Sequence, residues 1–222
     1  VKGEMKKHNT PCESRMERRK KDVRRRIISA AVDLFVRNGY ANTTMEQVAE
    51  AADVARKTLY NYFPVKEAIV DAHVREVSLR IAEKNLVMIQ GLPDTRSRLI
   101  SALNNAYAWV EANPEMAAVA IGYRLRNFCR EPEEHPEETG TQLIVNEIIR
   151  QGQKAGEIRS DISVKMAVIH LDMLRGSVFF EWLKDRSKFE LRQEIVKIVD
   201  MVLFGISTGK HEADERIDTS GD

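Results

Sequence analysis

Residues 44–63, TMEQVAEAADVARKTLYNYF, constrain this chain more than any other stretch. Their apolar positions follow two short helical periods separated by a tight turn. Met45, Val48, Ala49 and Ala52 share one face of a first helix, about Thr44–Ala52, at i, i+3, i+4, i+7 spacing. Val54, Leu59 and Phe63 form the underside of a second helix over about Arg56–Tyr62. Thr44 stands three residues before Gln47, a capping box that starts the first helix. The outward side of the second helix keeps Arg56, Lys57, Thr58, Tyr60 and Asn61. Two helices joined in this way, the second polar and cationic, make a helix-turn-helix, an arrangement that places a recognition helix in a DNA major groove.

The charge distribution agrees with that reading. The 222 residues carry a net charge of only +1. Residues 1–66 hold fifteen Lys/Arg against eight Asp/Glu, whereas the remainder holds twenty against twenty-six. A basic N-terminal third followed by an acidic remainder suggests a polyanion-binding module joined to something else. Cys12 and Cys129 lack metal spacing and suggest no disulfide framework, which fits a reducing cytoplasm. No apolar run approaches the ~20 residues needed to span a bilayer, so no membrane partner is expected. The five histidines, His8, His73, His135, His170 and His211, form no metal-binding pair. Nucleophile-elbow, phosphate-loop and dinucleotide patterns are missing, so neither an enzyme nor a cofactor is expected.

Strand-like alternation is absent, and the chain reads as all-α with about nine helices. Residues 1–14 are expected to be a flexible arm, 15–64 a three-helix head, 65–206 a helical body and 207–222 a flexible tail. A helix from about Arg15 to Asn38 buries Val23, Ile27, Ala30, Ala31, Leu34 and Phe35 and ends at Gly39. Its first half carries Arg15, Arg18, Arg19, Lys20, Lys21, Arg24, Arg25 and Arg26 against Glu17 and Asp22. That run is either a solvated face or a source of phosphate contacts. Pro64 stops the recognition helix, and a long helix over 65–90 follows, with Leu86 among its apolar positions. Helices over about 95–113, from Pro114, and over 141–156 come next, the last expected to bury Leu143, Ile144, Ile148 and Ile149. Two final helices, 163–184 and 189–206, are apolar nearly all round, which calls for more than one packing partner.

The head resembles the helix-turn-helix of tetracycline-repressor (TetR) type transcription regulators. The features run from Phe35-Val36-Arg37-Asn38-Gly39-Tyr40 through Thr43-Thr44-Met45, Val48-Ala49 and Ala52-Asp53-Val54 to Thr58-Leu59-Tyr60-Asn61-Tyr62-Phe63 with Lys66-Glu67. The resemblance covers about residues 20–68; the remainder matches in overall plan alone. It implies a homodimer joined by the last two helices and a body cavity for a small-molecule effector that releases DNA. Three positions depart from the commonest form. Asp53 replaces glycine in the turn, Ala55 replaces the capping serine or threonine, and Lys57 replaces a small groove-facing residue.

For double-stranded DNA, Thr44, Tyr62 and Lys66 are expected at phosphates. Arg56, Lys57 and Tyr60, with Asn61, are expected at base edges, and Thr58 faces the same side. Candidate effector linings are Tyr107, Trp109, Met116, Tyr123, Phe128, Met166, His170 and Met173. Candidate dimer contacts are Gly176, Phe179, Phe180, Ile195, Val199 and Val202. The function expected is a ligand-responsive repressor on a palindromic operator. An architectural DNA binder of the same fold without an effector, or a helical protein-interaction module, are the alternatives.

Overall fold

A computed structural model describes residues 14–127 and 138–204. Among these residues there are nine α-helices and no strand: α1 (Arg15–Asn38), α2 (Met45–Ala51), α3 (Arg56–Tyr62), α4 (Lys66–Ile89), α5 (Thr95–Ala112), α6 (Pro114–Asn127), α7 (Gly140–Lys154), α8 (Val164–Lys184) and α9 (Leu191–Phe204). The expected arm and tail lie almost wholly outside the described residues, as does Phe128. None of the described helices is long and apolar enough to cross a membrane.

Local chemistry explains most helix ends. Ser14 caps α1 and Thr44 caps α2, each through a complete capping box. Gly39 closes α1 at φ 81°, and its N–H donates to the Phe35 carbonyl at 3.0 Å. Pro114 opens α6 at the first turn, where its missing N–H has no helical partner to lose.

The described residues divide into two compact units, those within 14–80 and 112–140, and those within 81–111 and 141–204. The division cuts α4 and assigns α6 to the unit holding the helix-turn-helix, whereas periodicity alone suggests a boundary before α4. The first unit is built on one apolar cluster. Ile27, Ile28, Ala31 and Phe35 of α1 meet Val48 and Ala49 of α2, Leu59 of α3, Phe63, and Ile69 and Val70 of α4. Ala120 of α6 is buried in the same cluster, with Met116 and Val119 packed on it. An ion pair between Arg124 and Asp71 ties α6 to α4. Gly140 also belongs here: an added Cβ would lie 2.1 Å from the Ser78 carbonyl oxygen, so only glycine fits.

In the second unit, α8 and α9 pack on each other, with Leu171, Phe179, Leu191, Ile195 and Val199 fully buried. Arg96 makes a two-pronged ion pair to Asp200, at 2.5 and 2.9 Å. Two expected core positions fall outside it. Leu86 and Leu143 are 40% and 45% exposed, while Asn85 and Val145 beside them are buried. Asn85 is accommodated because its amide donates to the Ala102 carbonyl at 3.4 Å and its oxygen accepts from Asn105 at 2.6 Å.

The turn before α3 reaches its conformation without glycine. Asp53 sits at φ 50°, in the left-handed region that aspartate tolerates better than most residues. Ala55 caps α3 with no side-chain hydrogen bond, and Asp53 does not substitute for one. Ala55→Ser is therefore expected to stabilise the protein by about 0.5–2 kcal/mol. A thermal melt checks this, and an unchanged midpoint would show that α3 gains nothing from a cap.

Candidate nucleic-acid interface

The seven residues of α3 are too few to hold a helix in isolation. Leu59 and Phe63, buried in the head cluster, supply the anchoring. Because they occupy one side, Arg56, Lys57, Tyr60 and Asn61 are all exposed on the other. Tyr60 is 45% exposed, so packing in the head does not account for it. Thr58 is half-buried at the margin, and Tyr62 packs against the core cluster. Of the two tyrosines, Tyr60 is thus the one presented to a ligand. The turn is held by backbone bonds, Asp53 N–H to the Glu50 carbonyl at 3.1 Å and Val54 N–H to the Ala49 carbonyl at 3.0 Å.

Thr44 is exposed at the start of α2. Its hydroxyl oxygen accepts from the Gln47 N–H at 3.2 Å, and its own N–H donates to the Gln47 side chain at 2.8 Å. The hydroxyl proton takes no part in the box and can still donate to a phosphate.

Lys66 has a different position from the one its sequence context suggests. Its ammonium donates to the Tyr40 carbonyl at 2.6 Å and to the Thr43 carbonyl at 2.7 Å, and it lies 4.2 Å from the centroid of the Tyr40 ring. Two of its three N–H groups and its aromatic contact face the α1–α2 connector. Burial, with Glu67 adding to it, pushes the Tyr40 phenol up to about 12, so the ring stays neutral. Thr43 is buried, and its hydroxyl donates to the Gly39 carbonyl at 2.9 Å. Sequence reasoning missed this connector because backbone carbonyls leave no trace in side-chain patterns.

The effector and dimer candidates are redistributed. Met116 and Tyr123 lie on α6 in the first unit, where Met116 packs on the head cluster. Tyr107 is buried and Trp109 half-buried in the second unit. Met166, His170 and Met173 are exposed rather than core. Conversely, Phe179, Ile195 and Val199 are buried within the chain itself and cannot face a partner directly, whereas Gly176, Phe180 and Val202 are half-buried. The reason is the register of α8. Its inward stripe is Val168, Leu171, Arg175, Phe179 and Trp182, which turns Met166, His170 and Met173 to the opposite side.

That inward stripe contains a site the sequence reading overlooked. Arg175 is 9% exposed; its guanidinium pairs with Asp172 and lies 5.7 Å from the Tyr107 ring centroid. Gln142 donates to the other Asp172 oxygen at 2.9 Å, and the Tyr107 hydroxyl donates to the Arg175 carbonyl at 3.5 Å. Burial pushes the Tyr107 phenol up. Among the described residues, the Arg175 Nε–H is buried with no acceptor, as is the Asn104 side-chain oxygen with no donor. An Asp and an Arg three residues apart, falling among the apolar positions of this helix, were the available signal.

Residues 27–73 match the family model for bacterial regulatory proteins of the tetR family. That match takes in the helix-turn-helix, from Ile27 of α1 into α4, and leaves the rest of the chain outside it. An uncharacterized HTH-type transcriptional regulator of Mycobacterium tuberculosis is 33% identical over 93 residues, 42% of this chain and 46% of that protein. The chain thus spans about half the length of that curated relative. The fatty acid metabolism regulator protein of Bacillus subtilis is 23% identical over 184 residues, 81% of this chain and 93% of that one. Among solved structures, Thermus thermophilus FadR, a TetR-family transcriptional repressor in complex with lauroyl-CoA, shares the fold with a TM-score of 0.71. It is 21% identical and is covered completely by 87% of this chain.

Lys66→Met keeps the aliphatic stem but removes the donors to two connector carbonyls. Hydrogen bonds from a charged group contribute about 1.5–3 kcal/mol. The melting midpoint is expected to fall accordingly, with specific and scrambled duplexes losing affinity together. An unchanged midpoint with weakened DNA binding would return Lys66 to a direct phosphate role.

Proposed function

We propose that this protein is a ligand-responsive transcriptional repressor that binds a palindromic operator as a homodimer. The observation that carries the reading is the two-sidedness of α3. Leu59 and Phe63 lock one side into the head while Arg56, Lys57, Tyr60 and Asn61 are presented on the other. Arg56 and Lys57 read base edges, Tyr60 and Asn61 extend the contact, and Thr44 positions the head on a phosphate. Tyr62 and Lys66 contribute by holding α3 and the connector in place. One short helix reads few base pairs, so two copies about 34 Å apart on one face of the duplex supply the remaining specificity.

The outward face of α8, with Met166, His170, Met173 and Phe180, is the surface we assign to the dimer, in place of the buried Phe179, Ile195 and Val199. The effector acts in the second unit, where Arg175, Asp172 and Tyr107 offer a polar group inside an apolar core. A ligand with an accepting head group would satisfy the orphaned Arg175 donor. It regulates DNA binding only if its affinity differs between the two states of the protein.

Selection of bound genomic fragments identifies the operator. On that duplex Arg56→Ala is expected to reduce discrimination against a scrambled sequence by about 1–3 kcal/mol. Equal losses on both duplexes would remove Arg56 from base reading. Lauroyl-CoA, the ligand of the Thermus relative, is the first effector to try. It is expected to raise the melting midpoint and release operator DNA from the wild type, and to do neither in Arg175→Gln. The same response in that variant would exclude Arg175 from the effector site.

A further inference from the structure

Core burial on α1 begins at Ile27. Residues 15–26 therefore extend the helix by about 18 Å ahead of the first fully buried side chain. This extension is properly formed helix. The Ser14 hydroxyl accepts from the Glu17 N–H at 3.2 Å, and the Ser14 N–H donates to the Glu17 carboxylate at 2.8 Å. These hydrogen bonds hold the Glu17 carboxyl below its ordinary range.

At 3.6 residues per turn, Arg15, Arg18, Arg19, Arg25 and Arg26 fall within an arc of about 120°. The arc lies opposite the stripe of Ile27, Ile28, Ala31 and Phe35, and all five arginines are exposed. Among the described residues, Arg15, Arg18, Arg19 and Arg26 have no ion-pair partner. Arg25 meets Asp22 at 3.9 Å, in a pair largely open to solvent. Arg15 stands one turn from both Arg18 and Arg19, a spacing at which like charges destabilise a helix. The stripe therefore costs the isolated protein stability, and a polyanion would remove that cost.

Arg24 ties this extension to the recognition helix. It lies off the stripe, with Nη1 3.3 Å from the Glu76 carboxylate and its guanidinium carbon 5.4 Å from the ring centroid of Phe63. Phe63 is the residue on which α3 ends. Arg24 stands about 160° round α1 from the middle of the stripe, so this contact fixes the extension beside the C-terminal end of α3 and leaves the stripe on the side turned away from the head, inside the same compact unit.

We propose that the α1 stripe is a second, sequence-independent DNA contact, running along phosphates outside the base pairs that α3 reads. This rests on the assignment of α3 to the major groove. About 18 Å of helix matches about five phosphates of one strand at 3.4 Å of axial rise each. Guanidinium groups suit phosphates because they donate two parallel hydrogen bonds. An anionic membrane is the less favoured polyanion. Within residues 15–26 the apolar side chains are Met16 and Val23 alone, and the apolar stripe that follows is buried in the head, so the helix has no apolar face to insert.

The test uses the full chain and a random-sequence duplex of about 30 base pairs, with binding followed by anisotropy from about 50 to 300 mM KCl. Compared with wild type, Arg15→Gln/Arg18→Gln/Arg19→Gln should lower the slope of log affinity against log salt by about 2–3. The corresponding triple lysine variant should keep most of the slope, and Asp22→Asn should steepen it. Glutamine relieves repulsion on a solvent face, so the melting midpoint should be equal or higher. A wild-type slope in the glutamine variant overturns the stripe and leaves the α3 reading intact. Wild-type protein that shows no salt-dependent duplex binding overturns both. Unchanged duplex slope with lost binding to phosphatidylglycerol vesicles overturns DNA as the partner in favour of a membrane.

Discussion

The burial of Leu59 and Phe63 is the interaction on which the candidate interface depends. A helix of seven residues with an uncapped alanine start cannot define its own direction. Leu59 and Phe63 define it by docking between α1, α2 and α4, and their burial is what leaves Arg56, Lys57, Tyr60 and Asn61 facing out. The Phe63 ring also receives the Arg24 guanidinium, so one aromatic side chain serves both the apolar core and the cationic helix. The presentation of the recognition residues is a consequence of packing beneath them.

Around this core the polar atoms of the connector are satisfied partly by their own neighbours and partly by a lysine distant in sequence. Gly39, Thr43 and Lys66 account for the carbonyls and N–H groups where the chain leaves α1 and enters α2. A buried backbone carbonyl without a donor is expensive, and the lysine ammonium supplies two donors at once. Helix α6 then joins the same unit through Ala120 and the Arg124–Asp71 pair. The unit that carries α3 is consequently larger than three helices, and α4 contributes residues to both units. A change in α6 or α4 has a direct packing route to the recognition helix.

The second unit places its chemistry differently. Arg175 sits within a stripe that is otherwise Val168, Leu171, Phe179 and Trp182, and the half-buried Asp172 pairs with it from one turn before. A buried ion pair is weak evidence of stability, because desolvation offsets the attraction. The guanidinium with an unsatisfied Nε–H, beside the buried Tyr107 ring, is the group we propose for effector recognition.

The sequence by itself determined the all-helical class, nearly every helix boundary, the core of the head and the outward residues of α3. Those features follow from local rules: the capping box at Thr44, glycine at the end of α1, proline at the start of α6, and clear 3.6-residue periodicity. Tertiary structure alone decided the roles of Lys66, Gly140, Leu86 and Leu143, the membership of α6, and which side of α8 faces inward. The physical reason is that periodicity orients a helix only when one side is polar. On α8 apolar side chains occur on every side, with Met166 and Met173 among the outward polar residues and Arg175 among the inward apolar ones, so the covered face is decided only when a neighbour packs on it. Arg175 fell on the covered side, and Met166, His170 and Met173 on the open one. Backbone acceptors such as the Tyr40 and Thr43 carbonyls likewise become visible only when a distant side chain folds onto them.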